Sequence, residues 1–175
     1  MKTKYRNTRK IQIWETPRSL VDFIAEKLDI DGFDIDVAAS VSNTKAPRFF
    51  TKAQNGLQHN WSIKKGTTNV WCNPPYDDIA TWVEKAVQET FNSVTTVMLI
   101  PAATDTELFH NLIVNHAYMI YFLQGRIYFK LQNVGKQSAP HGSMVVVFKD
   151  AKHNLRQGHC YMTTLKPTKE QRGLI

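Results

Sequence analysis

Residues 69–76, Asn69-Val70-Trp71-Cys72-Asn73-Pro74-Pro75-Tyr76, decide how this chain is read. A short apolar run, NVWCN (69–73), stops at two prolines. Proline fixes φ and has no N–H to donate, so a buried strand ends here. It also drives the residue before it to extended geometry. The expected product is a rigid turn at a strand end, with the Asn73 carboxamide and backbone carbonyls projecting and the Tyr76 ring behind them. Residues 77–91 (DDIATWVEKAVQETF) then predict an amphipathic helix, with Asp77 and Asp78 suited to its positive end.

The same pattern extends in both directions. Upstream, Pro17 follows the cap-like Thr16 and opens a helix over TPRSLVDFIAEKL, closed by Gly32. FDIDVAA (33–39) reads as a strand, and residues 40–60 as polar and irregular. Downstream come a continuously apolar strand, VTTVMLIP (94–101), and a helix over 105–116. Strands follow at 117–123 and 126–131, about the break Gln124-Gly125-Arg126, then at 142–149, with HCYMTTL (159–165) as an edge strand. Strands alternating with helices, in near-uniform Val/Ile/Met runs, predict one α/β domain of Rossmann type. Its sheet is mostly parallel and covered on both faces. The last strands arrive without helices between them, so antiparallel pairing is expected toward the C-terminus. Ligands of such sheets lie beyond the carboxyl ends of the strands. That rule puts Asp36, Asn73 and Pro101 on one working edge.

The 175 residues suit a single domain. We divide them into a basic arm (1–13), a body (14–149) and a basic C-terminal strand and tail (150–175). Two cysteines, Cys72 and Cys160, exclude a disulfide scaffold or zinc ribbon and suit a reducing, cytoplasmic setting. No apolar run is long enough to span a bilayer, and the N-terminus lacks a secretory pattern. Residues 1–14 carry five positive and no negative charges, and 149–175 carry six against two, within a net charge of +7. Two basic ends on a near-neutral body point to a polyanion partner, whereas plain solvated tails are the bland alternative. The six histidines form no ligand pattern, so no metal is expected.

The chemistry sits at Asn73-Pro74-Pro75-Tyr76. The Asn73 side-chain oxygen and the Pro74 carbonyl can accept the two hydrogens of an exocyclic amine, and Tyr76 can stack on the ring that bears it. An aromatic amine is a poor nucleophile. Two fixed acceptors polarise it and stabilise the charge that develops during attack, without a strong base. A plain Asn-Pro turn would share the tetrapeptide but needs neither the buried strand before it nor the helix behind.

These residues resemble the catalytic motif of amino-methyltransferases that use S-adenosylmethionine. The whole arrangement is similar to the small phage-type DNA N6-adenine methyltransferases, the phage Dam family. Four further segments carry the likeness: WETP (14–17), FDIDVAAS (33–40), GLQHNW (56–61) and FLQGRIYF (122–129). The resemblance implies a single Rossmann-like domain that methylates adenine in double-stranded DNA and releases S-adenosylhomocysteine. A phage-type enzyme would work in a bacterial host's cytoplasm, in the manner of restriction-modification. It implies cofactor roles for Trp14, Thr16 and Pro17 at the methionine end. Asp36, with Ala38, Ser40 and secondarily Asp34, would form the first-strand site, Leu57 and Trp61 would flank the cofactor adenine, and Asn73 would adjoin it. Asn73, Pro74, Pro75 and Tyr76 would bind the target base. Arg126, Phe129, Lys45 and Arg48 would contact DNA.

The sequence departs from the usual pattern in having no GxGxxG and no acid between Asp36 and Asp77, where a ribose-binding carboxylate is expected. Asn43 or Asn55 could substitute. Two alternatives remain: a methyltransferase for RNA or a protein glutamine, which also offer planar amines, and a DNA-binding module that has lost its cofactor.

Overall fold

The computed structural model describes residues 14–131, 135–149 and 160–175. The basic arm, residues 132–134 and residues 150–159, with His153 and His159, lie outside the described residues.

A seven-stranded sheet forms the centre, in the order β10-β6-β9-β5-β4-β2-β3. The strands are β2 (Ile35–Ala39), β3 (Arg48–Thr51), β4 (Thr68–Cys72), β5 (Val94–Pro101), β6 (Met119–Leu123), β9 (Ser143–Phe148) and β10 (Tyr161–Leu165). Only β9 runs against its neighbours, from Thr96↔Phe148 on β5 and Met119↔Val147 on β6. The remaining ladders are parallel, β10 on β6 included. The expected α/β class, mostly parallel with an antiparallel strand toward the C-terminus, is what the structure has.

Each face has its own core. Helix α1 (Arg18–Lys27) lays Leu20, Val21, Ile24 and Ala25 against Trp71, Val97, Leu99, Val145 and Val147. On the other face, helix α2 (Ile79–Glu89) packs Trp82, Val83 and Ala86 against Val37, Val70, Cys72 and Met98. The π-wound segment Leu108–Ile113, which runs into the short α3 (Val114–His116), adds Phe109 and Ile113 to that side. Strand alternation therefore turns Asp36 and Trp71 to the α1 face.

Three features differ from the sequence reading. β3 emerges from the stretch read as irregular; four residues on a half-exposed edge are too few for a period to register. β1 (Trp14–Glu15), β7 (Tyr128–Leu131) and β8 (Gly135–Ser138) form a second, antiparallel sheet. The strands about Gln124-Gly125-Arg126 thus do not pair with each other but pass from one sheet to the next. Thr16 does not cap α1: Pro17 precedes the helix, and its carbonyl accepts from Leu20 and Val21 at 3.1 and 3.3 Å. The edge strand expected over 159–165 is present as β10, parallel to β6 at the edge of the main sheet.

Candidate active site

The chain steps from β2 out to the edge strand β3 and then back across to β4, so the sheet reverses its winding between β2 and β4. Their ladder comprises Ile35↔Val70 and Asp36↔Trp71, although both strands run on beyond it. The crevice at this reversal is where open α/β sheets bind ligands. Asn73 follows β4 directly, and Pro101 ends β5. Asp36 is the exception to the expected placement. It is the second residue of β2, level with Trp71 and set back from the strand end.

Asn73 is held by a residue 57 positions away in the chain: its Nδ2 donates to Thr16 Oγ1 at 3.1 Å. Its Oδ1 is buried and has no partner among the described residues. A buried carbonyl oxygen without a donor costs roughly 1–3 kcal/mol, so this atom is poised to accept a hydrogen from a ligand. Pro74 is buried and Pro75 exposed. Burial pushes the Tyr76 phenol up to about 12, so it stays neutral.

Asp36 is 3% exposed. Its two oxygens accept only backbone N–H groups, from Ala38 at 3.3 Å and Lys45 at 2.9 Å. Burial raises its pKa from 3.8 to about 6, against the lowering effect of the Lys45 and Ala38 amides. No cation forms an ion pair with it among the described residues. Such a carboxylate suits the ammonium group of an amino-acid ligand. The Lys45 ammonium is lowered, chiefly by burial, and feels Glu15 and Asp36. Lys45 is half-buried, and its backbone N–H is one of the two that hold Asp36.

Thr16 and Pro17 are brought to the site by β1, whose Trp14↔Leu131 and Glu15↔Lys130 pairs tie WETP to the segment after Arg126. The Trp14 side chain lies outside what is described. Ser40 and Asn43 close a turn after β2: the Ser40 N–H donates to Asn43 Oδ1 at 2.7 Å. Asn55, at φ 52°, accepts from the Leu57 N–H at 3.3 Å. Both asparagines spend their side-chain oxygens locally, so neither is a free stand-in for the ribose carboxylate. Gly56 presses on β2 so closely that a Cβ there would lie 2.2 Å from the Val37 carbonyl oxygen. That contact places half-buried Leu57 beside β2.

Four candidates are placed elsewhere. Asp34 lies at the amino end of β2, where it pairs with Lys64 at 2.8 Å and accepts from the Asn69 N–H at 2.8 Å. Arg48 is opposite Ile35, also at the amino edge. Trp61 is 0% exposed and donates to the Gly56 carbonyl at 2.8 Å, so it supports the Gly56 turn instead of facing a ligand. Phe129 is likewise fully buried, in the core under α1. An aromatic residue beside a motif gives no sequence signal that tells a lining role from a supporting one. Burial also pushes the Cys72 thiol well up, as befits an inert strand residue. Arg126 is exposed, in the turn after β6.

Among the described residues no group of three or more His, Cys, Asp or Glu side chains could hold a metal ion. No helix among them is long and apolar enough to cross a membrane.

Comparison with known proteins identifies the family. The model of the DNA N-6-adenine-methyltransferase (Dam) family matches residues 3–173. A DNA N-6-adenine-methyltransferase of Haemophilus phage HP1 is 30% identical over 148 residues, which cover 82% of this chain and 83% of that protein. One from Escherichia phage T1 is 31% identical over 97 residues, 55% of this chain but 39% of that longer relative. A solved Thermoplasma acidophilum structure, provisionally described as a methyltransferase, aligns at 12% identity and TM-score 0.38 over 83% of this chain and 67% of that one. That last likeness is too slight to carry an argument. With the family matched over nearly its whole length, the chain belongs to the DNA N-6-adenine-methyltransferase (Dam) family.

Proposed function

We propose that the protein transfers a methyl group from S-adenosylmethionine to N6 of an adenine swung out of double-stranded DNA. The observation that carries this reading is the Asn73 carboxamide, anchored through Nδ2 while its Oδ1 is buried and unpartnered. A planar amine with two hydrogens fits that arrangement, with Oδ1 taking one hydrogen and the Pro74 carbonyl the other. S-adenosylmethionine supplies an electrophilic methyl group when bound. Asp36 would hold its ammonium, with Thr16 and Pro17 alongside and Leu57 against the nucleoside end.

This chain's residues then act mainly by position. The two acceptors fix the amine and stabilise positive charge as N6 gains carbon and releases a proton. The neutral Tyr76 ring stacks on the base, and Tyr76→Ala should weaken its capture by roughly 1–3 kcal/mol. RNA and protein glutamine remain outcomes of the test below, and no observation in the structure favours them.

The test is methyl transfer from labelled S-adenosylmethionine to unmethylated DNA, with the product digested to nucleosides. N6-methyladenine made by the wild type and not by Asn73→Ala supports the reading. Label appearing only in RNA or protein, or equal labelling by Asn73→Ala, overturns it.

A further inference from the structure

The turn Gln124-Gly125-Arg126 and the C-terminal turn at 168–174 are fitted to one another. The Tyr128 N–H donates to the Arg172 carbonyl at 2.8 Å, and the Gln124 N–H to the Leu165 carbonyl at 2.8 Å. Arg172 Nη1 donates to the Arg126 carbonyl at 3.4 Å. Gly125, at φ +87°, makes the fit possible, because a Cβ there would lie 2.2 Å from Arg172 Nη1. The Arg172 guanidinium is thereby held against the backbone of Arg126, 46 positions away.

Neither arginine has an acidic partner among the described residues. The ion pairs among the described residues involve Arg18, Lys27, Lys64 and Lys85, and Arg172 Nε is buried with no hydrogen bond. Exposed Lys166 and Lys169 join the same surface, where Glu170 is the one acid of residues 160–175. Positive side chains gathered on one turn without a counter-charge among the described residues favour an anion there. The position suits such an anion. Leu123 of β6 is opposite Leu165 of β10, so both turns leave the carboxyl edge of the sheet, the edge that presents Asn73. From β4 to β6 is three strand spacings, on the order of 15 Å, within reach of one DNA duplex that also delivers a base to Asn73.

We propose that Arg126 and Arg172 together form a seat for a phosphodiester of the substrate DNA. This rests on the DNA-methylating reading and adds to it a residue from the C-terminal turn. The exposed Arg126 suits the task, since a planar guanidinium fork matches a phosphate bidentately, while Arg172, fixed through Nη1, adds its charge beside it.

The test measures the affinity of the full chain for a duplex across a salt series, with S-adenosylhomocysteine present. Arg126→Gln and Arg172→Gln should each weaken binding about ten-fold at low salt and reduce the slope of log affinity against log salt by about one. Because the two share one phosphate, the double variant should lose little more than either alone. Unchanged slopes in both single variants, with S-adenosylhomocysteine affinity retained, overturn the seat. Should Arg172→Gln not fold, Arg126→Gln decides alone, since the observed contact uses only the Arg126 backbone carbonyl. Methyl transfer into DNA by the wild type together with unchanged slopes overturns the seat and leaves the reading standing. No transfer into DNA by the wild type overturns both.

Discussion

Thr16 Oγ1 accepts a hydrogen bond from Asn73 Nδ2 at 3.1 Å, and through it the segment before α1 sets the orientation of the amide after β4. Thr16→Val keeps the shape and removes the acceptor. The amide would then be free to turn, and we expect kcat to fall about ten-fold, the effect of one buried hydrogen bond, with KM for DNA little changed. Thr16→Ser should restore most of the rate. Steady-state kinetics of the three proteins check this.

Stability and activity should separate at Asn73. Its Oδ1 is buried without a partner, so the folded chain carries a penalty that a ligand removes. Asn73→Ala should lose methyl transfer by roughly 100-fold or more, as for other fixed donors or acceptors aimed at developing charge. Its melting temperature should be no lower than that of the wild type. A calorimetric scan alongside the transfer assay tests both halves.

Asp36 makes the ligand-free protein sensitive to pH. Its pKa is about 6 in the folded chain and 3.8 ordinarily, so the folded chain holds the extra proton between those values. Stability therefore declines as pH rises from about 4 through 6, by about 3 kcal/mol, and stays lower above that. A bound ammonium favours the carboxylate, so cofactor affinity should rise over the same window. Asp36→Asn should flatten both profiles, which denaturant titrations and calorimetry from pH 4.5 to 8 would show.

Gly56→Ala places a methyl 2.2 Å from the Val37 carbonyl oxygen and must move the turn off β2. We expect a loss of roughly 1–3 kcal/mol, the usual cost of overpacking, together with weaker cofactor binding through displaced Leu57. Leu57→Ala should weaken cofactor binding with less loss of stability. Trp61→Phe, which removes the bond to the Gly56 carbonyl, should lower stability more than affinity. Melting curves and S-adenosylhomocysteine titrations separate the three.

The main sheet was legible because β4, β5 and β9 are largely apolar and α1 and α2 keep a helical period. The working edge followed from where such strands end, and Asn73 is where the prolines after β4 require it. The second sheet was not legible. β8 is Gly-Lys-Gln-Ser, largely exposed, and is a strand only because β7 pairs with it. Likewise Trp61 and Phe129 stand in the right segments, yet burial depends on what packs over them, and periodicity does not report that. Arg172 was invisible for a related reason: its neighbour is fixed by a turn 46 residues away.

Gly173 sits where a Cβ would come within 2.6 Å of the Tyr128 carbonyl and 2.7 Å of Pro17 Cγ, and Ser19 Oγ donates to the Glu170 carbonyl at 3.2 Å. The last turn described thus latches the first segment of the site. A chain emerging from the ribosome would have Trp14 to Asn73 in hand long before that latch exists. Catalytic competence should arrive only once residues 168–173 have emerged, so that shorter nascent chains leave DNA unmodified.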